Sequence, residues 1–208
     1  MIAANLTADV SMLAAVLSAC GAKPGGRVLD VGCGDASLVT ALGEAGFDAE
    51  GLGEEAEPGE RLHRGGMANS VPFAAGEADV AIVRDLGAYD GDLDGLEALI
   101  STANLLSCLR PLGRAVFVRE DAAAAVGVKP TPRQAELIAH LGRFPCRAET
   151  LSRGEGLGRF FSPAFLLGRR PRRGASLVVA QVPKQPVSRL QWHGYAREAA
   201  MGEMQRAA

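Results

Sequence analysis

The stretch Arg27-Val28-Leu29-Asp30-Val31-Gly32-Cys33-Gly34-Asp35-Ala36-Ser37-Leu38 restricts the fold more than any other part of the chain. Val28, Leu29 and Val31 form a short apolar run, the mark of a buried strand. Gly32 and Gly34 remove side chains where the backbone must bend sharply and where a ligand needs close approach. Asp35 and Ser37 suit the first turn of a helix, and Leu38, Val39, Ala41 and Leu42 give that helix an apolar face. A strand, a glycine turn and a helix together make a ligand platform at the carboxyl end of a parallel sheet. A dinucleotide fingerprint requires a third glycine where Ser37 stands. Asp30, at the strand end, repels a pyrophosphate and suits a ligand that carries an ammonium group.

Val28-Leu29-Asp30-Val31-Gly32-Cys33-Gly34 closely resembles the first motif of class I S-adenosylmethionine-dependent methyltransferases. A second match is Leu109-Arg110-Pro111-Leu112-Gly113-Arg114-Ala115-Val116-Phe117-Val118, although the family usually has Gly where Leu112 sits. The resemblance runs from about Val28 to Val182. It implies an α/β fold, a Rossmann-like, doubly wound, mostly parallel sheet of the seven-strand type with an antiparallel last strand. Residues 1–184 then form one domain, in which residues 1–26 are a helix and loop. Residues 185–208 are a tail with a candidate helix from Tyr195 to Ala207.

The resemblance also implies a site. Asp30, Gly32, Cys33 and Gly34 would hold the methionine end of S-adenosylmethionine. The second strand, Phe47 to Leu52, would end in an acid that grips the ribose, since a carboxylate accepts two hydrogen bonds at once. Gly53 stands at the expected place, and Glu54 and Glu55 follow. Glu54 is the expected ribose ligand if the strand end shifts by a residue; the other reading makes both acids solvated surface groups. Gly66-Met67-Ala68-Asn69-Ser70-Val71-Pro72-Phe73 resembles the family's Gly-Asp-Ala-x-x-Leu-Pro-Phe pattern, with Met67 replacing the acid that contacts adenine. Met67 and Ala68 are the expected adenine contacts; a thioether packs on a base but accepts hydrogen bonds weakly. Asp79 to Arg84 reads as a central strand, apolar and β-branched. Arg84 is expected beside the cofactor, and Asp85 and Tyr89 on the acceptor side, as catalytic candidates. A helix cap or solvated loop is the alternative for Asp85.

Between Glu55 and Gly66 there is too little chain for a normal crossover. The second crossover is therefore shortened to one helical turn or a short strand. Further elements follow from pattern: helices over Asn5–Cys20, Asp35–Ala45, Leu96–Leu109 and Pro132–Leu141, and strands over Cys146–Leu151 and Ala175–Val182. His140 reads as a surface residue and not a ligand.

Composition excludes more than it selects. With 48% hydrophobic and 22% charged residues and a net charge of -2, the chain reads as a globular protein with no obligatory anionic partner. Arg143, Arg147, Arg153, Arg159, Arg169, Arg170, Arg172 and Arg173 face only Glu149 and Glu155 in the same stretch. Within that stretch, Arg169-Arg170-Pro171-Arg172-Arg173 suits phosphate, nucleic acid or an acidic partner, and a solvated hairpin tip explains it as well; it lacks the interleaved aromatics of a nucleic-acid surface. Cys20, Cys33, Cys108 and Cys146 are scattered, which fits neither a zinc site nor a disulfide framework. No metal is expected, no apolar run is long enough to cross a bilayer, and a cytoplasmic setting is the simplest reading. The leading function is methyl transfer from S-adenosylmethionine to an unidentified acceptor, small or macromolecular. The alternative is a methyltransferase-like scaffold that no longer catalyses and binds a protein partner. A nucleic-acid module working through the arginines is weaker still.

Overall fold

A computed structural model describes residue 17 and residues 20–34, 36–69, 71–84, 87–118, 132–151 and 177–207. Leu17 and Cys20 apart, the helix expected over Asn5–Cys20 lies outside the described residues, as do Asp35, Asp85 and the segment Arg153–Arg173. The described elements are β1 (Arg27–Val31), α1 (Ser37–Glu44), β2 (Asp48–Gly53), β3 (Leu62–Arg64), β4 (Ala78–Val83), α2 (Gly87–Asp90), α3 (Leu96–Cys108), β5 (Leu109–Val118), α4 (Pro132–Leu141), β6 (Arg147–Leu151), β7 (Leu177–Gln181) and α5 (Arg189–Ala207). The strands make a seven-stranded sheet in the order β3-β2-β1-β4-β5-β7-β6. β3, β2, β1, β4 and β5 run parallel, whereas β7 is antiparallel to both β5 and β6.

Central position follows from composition. Every residue of β4 is buried, as are Val28, Leu29, Asp30 and Val31 of β1; such near-continuous apolar runs suit strands covered on both faces. One buried cluster lies on the α1 side, with Val28, Leu38, Leu42 and Ile82. A larger one lies on the α3 side, with Leu29, Leu99, Leu106 and Phe117. The second crossover is indeed short: a brief edge strand, β3, and no helix between β2 and β3. α1 starts two residues later than its sequence suggests, because Ala36 at its start takes a left-handed conformation, φ 62°, with no side-chain cap.

The tail belongs to the same body. α5 packs on α3, with Trp192 only 2% exposed. Ser188 and Gln191 form a reciprocal cap: the Ser188 N–H donates to Gln191 Oε1 at 2.9 Å and the Gln191 N–H to Ser188 Oγ at 3.3 Å. Arg189 then donates to the Phe73 carbonyl at 2.8 Å and to Ser107 Oγ at 3.1 Å. No described helix is long and apolar enough to cross a membrane.

The turn that opens β5 bulges out, so that Ala78 pairs with Leu109 but Val80 with Arg114. Leu112 sits in this bulge at φ 64°, with its side chain 52% exposed. A branched side chain is strained in that region, and the exposed one offers little packing in return. Leu112→Gly is expected to raise stability by about 0.5–1 kcal/mol, read as a higher urea midpoint; a lower midpoint would contradict the left-handed turn.

His140 is buried, 1% exposed, and not at the surface as its sequence suggests. α4 turns it toward α3, where Thr102 Oγ1 donates to the Ala98 carbonyl at 2.8 Å and is hydrogen-bonded to His140 Nε2 at 2.8 Å. The Thr102 hydroxyl is also within 3.3 Å of the Tyr89 hydroxyl. Tyr89 and Phe144 rings flank the imidazole. Burial, chiefly, lowers the His140 pKa to about 4; Arg143 lowers it further, while the Leu93 carbonyl and Asp94 oppose this. The folded chain therefore binds the proton less readily than the unfolded one. Stability attributable to His140 is intact above pH 6.5 and falls as pH drops toward 4, by about 3 kcal/mol in all. Denaturant midpoints measured from pH 7 to pH 4 should fall less steeply in His140→Gln than in the parent. Equal slopes would contradict the buried neutral imidazole.

Candidate functional site

The sheet order reverses between β1 and β4, and ligands of such sheets bind outside the carboxyl ends of the strands at that point. Three local features shape the place. First, the glycine turn sits directly on β2: the N–H groups of Gly32 and Cys33 both donate to the Leu52 carbonyl, at 2.7 and 3.1 Å. Gly32 has φ 85°, which a side chain would resist.

Second, β2 has no room for side chains beneath the turn. A Cβ on Gly51 would lie 2.9 Å from both Cys33 Cβ and Val39 Cγ2, and one on Gly53 would lie 3.2 Å from Cys33 Sγ. Position 53, where the resemblance expects the ribose acid, is thus pressed against Cys33. Glu54 is the first residue past that contact.

Third, Asp30 is fully buried (0% exposed) and faces Arg84, which follows β4. Arg84 Nε donates to Asp30 Oδ1 at 2.8 Å, and its Nη2 donates to Asp30 Oδ2 and, at 3.0 Å, to the Cys33 carbonyl. The bidentate fork is the strong form of this pair. One guanidinium thereby ties β1, the glycine turn and the end of β4 together.

Next to this lock lies a cavity of about 60 Å³. Val31 and Gly32 form its floor, Leu52, Gly53 and Glu54 one wall, and Met67, Ala68 and Asn69 the next. Tyr89 of α2 and Glu97 and Ser101 of α3 close it. The structure therefore brings Gly32, Glu54, Met67, Ala68 and Tyr89 together around one hollow. Asp30, Cys33, Gly34 and Arg84 are not part of that lining. Asp85 is outside the described residues.

The lining has distinct chemistry. Met67 is buried, and its carbonyl accepts from Asn104 Nδ2 at 2.7 Å. Burial pushes the Tyr89 phenol pKa well up, only partly offset by the bond with Thr102, so the phenol stays neutral at ordinary pH. Ser101 Oγ is buried with no hydrogen-bond partner among the described residues. Glu97, Asn69 and Ser101 were not singled out by sequence. The signal for Ser101 and Glu97 was their spacing: i and i+4 on one face of an otherwise apolar helix.

The comparisons agree with this fold. The family model of methionine biosynthesis protein MetW matches residues 13–94, less than half of the chain. Comparison by sequence with curated proteins gives no match. Among solved structures, Streptomyces venezuelae DesVI is similar at a TM-score of 0.56 and 18% identity, over 86% of this chain and 92% of that one. A TehB-like S-adenosylmethionine-dependent methyltransferase from Corynebacterium glutamicum is similar at 0.54 and 17%, over 83% and 88%. The mitomycin 7-O-methyltransferase MmcR is similar at 0.50 and 17%, over 83% of this chain but only 54% of its own, so the chain spans about half of that protein. The fold is that of the class I S-adenosylmethionine-dependent methyltransferases.

Breaking a buried ion pair by removing one partner is strongly destabilising, by about 3–5 kcal/mol. Arg84→Met, which keeps much of the volume, is expected to destabilise the chain by that amount in urea titration. An unchanged midpoint would show that Arg84 does not brace Asp30.

Proposed function

We propose that the chain binds S-adenosylmethionine at the β1–β4 switch point and transfers its methyl group to an acceptor that nothing here identifies. The observation that carries the reading is the convergence of Gly32, Glu54, Met67 and Ala68 on one cavity. These are the residues to which the first-motif, ribose and adenine roles fall by resemblance.

The residues fit such a cofactor in kind. Glu54 would accept the ribose hydroxyls, and Met67 and Ala68 would pack on the base. Asp30 and Arg84 lie outside the cavity lining and are paired with each other; once that pair opens, the carboxylate would take the ammonium of a zwitterionic amino acid end and the guanidinium its carboxylate. When bound, the cofactor supplies a methyl group on an already activated sulfonium, so the chain's task is mainly alignment. Tyr89, neutral and buried, would shape the wall; Asp85, the residue after Arg84, is the candidate base on the acceptor side.

The cavity must widen on binding. Sixty cubic ångströms or so holds a few waters, while ligand pockets commonly measure about 300–1,000 Å³. Glu54, Asn69 and Glu97 are exposed, so the rim can yield without disturbing the core. The same small volume, with the Asp30 carboxylate already paired, favours a second reading: a non-catalytic scaffold of the same fold that binds a protein partner.

Isothermal titration with S-adenosylmethionine and S-adenosylhomocysteine separates the two. The transferase reading expects saturable heat with both ligands. Glu54→Gln should weaken binding by about tenfold, as loss of hydrogen bonds to a charged acceptor does. No heat and no shift in melting temperature would leave the scaffold reading.

A further inference from the structure

α3 carries three buried hydroxyls whose fates differ. Thr102 Oγ1 donates to the Ala98 carbonyl at 2.8 Å and Ser107 Oγ to the Asn104 carbonyl at 2.7 Å. Both satisfy themselves by bonding back along the helix, the usual resort of such side chains. Ser101 does not. Its hydroxyl is 1% exposed, makes no hydrogen bond among the described residues, and lines the cavity beside Met67 and Ala68.

An unpaired buried hydroxyl is costly, and the backbone remedy taken by its neighbours is at hand. Met67, at the place of the absent acid, offers only a thioether from its side chain, and its carbonyl already receives Asn104; Asn69 beside it is exposed at the rim. Glu97, one turn earlier on the same face of α3, lines the same rim. A buried polar group, which the Met67 side chain does not offer, is thus present on the helix side.

We propose that Ser101 is the specificity residue of this pocket, accepting a hydrogen bond from the exocyclic amino group of a bound adenine in place of the acid absent at Met67. This rests on the nucleoside reading given above. The base is held between the Met67–Ala68 wall and α3, and its amino edge is read from the helix. Ser101 is left unsatisfied in the free fold because its partner arrives with the ligand.

The test is Ser101→Ala against the parent, each as the full chain, by titration with S-adenosylhomocysteine and by competition with adenosine and with purine riboside, which lacks the amino group. The proposal expects the ligand-free variant to melt no lower than the parent, since an orphan hydroxyl is removed. It expects affinity for S-adenosylhomocysteine to fall about five- to tenfold. It also expects the parent's preference for adenosine over purine riboside to shrink toward unity in the variant. Unchanged affinity, or equal weakening for both ribosides, would overturn the role of Ser101 while leaving the nucleoside site standing. A parent chain that binds none of the three would overturn both.

Discussion

The buried pairing of Asp30 with Arg84 is the interaction around which the site is built. A carboxylate with no exposure to water needs partners, and Arg84, from the end of the adjoining strand β4, supplies a bidentate one. Because the same guanidinium also holds the Cys33 carbonyl, it fixes the glycine turn relative to both central strands. The turn's other anchor is the Leu52 carbonyl. These two anchors hold the glycine turn beside the hollow at the switch point.

The departures from the family pattern have a common physical origin here. β2 carries Gly51 and Gly53 because the turn presses Cys33 onto the strand. An acid at position 53 would push that turn away, so the carboxylate nearest the cavity is one residue later, at Glu54. The missing helix between β2 and β3 leaves a three-residue edge strand to carry the chain across. α3 adds Glu97 and Ser101 to the polar lining that Glu54 and Asn69 also supply.

Much of this was legible in the sequence. The apolar run before Gly32 and the β-branched run of β4 marked two buried strands, since burial on both faces writes itself as composition, and Pro132 marked the start of a helix. The short stretch after Glu55 announced a truncated crossover by length alone. Other features were not visible. His140 sits on a helix of modest polarity, and only its tertiary neighbours Thr102 and Tyr89 turn it inward. The start of α5 was readable in Ser188 and Gln191, whose spacing is that of a capping box, yet the helix was expected only from Tyr195. The pairing of Asp30 with Arg84 joins residues far apart in the chain, and no local pattern signals it. Ser101 looked like one more small residue in a buried helix; only three dimensions show which hydroxyls bond back and which does not.

A crystal structure of the full chain grown with S-adenosylhomocysteine tests the account most directly. The account predicts the base lodged between Met67 and α3, the ribose on Glu54, and a widened cavity in place of the present one. A ligand bound elsewhere, or an unchanged hollow with Asp30 and Arg84 still locked at saturating ligand, would contradict it.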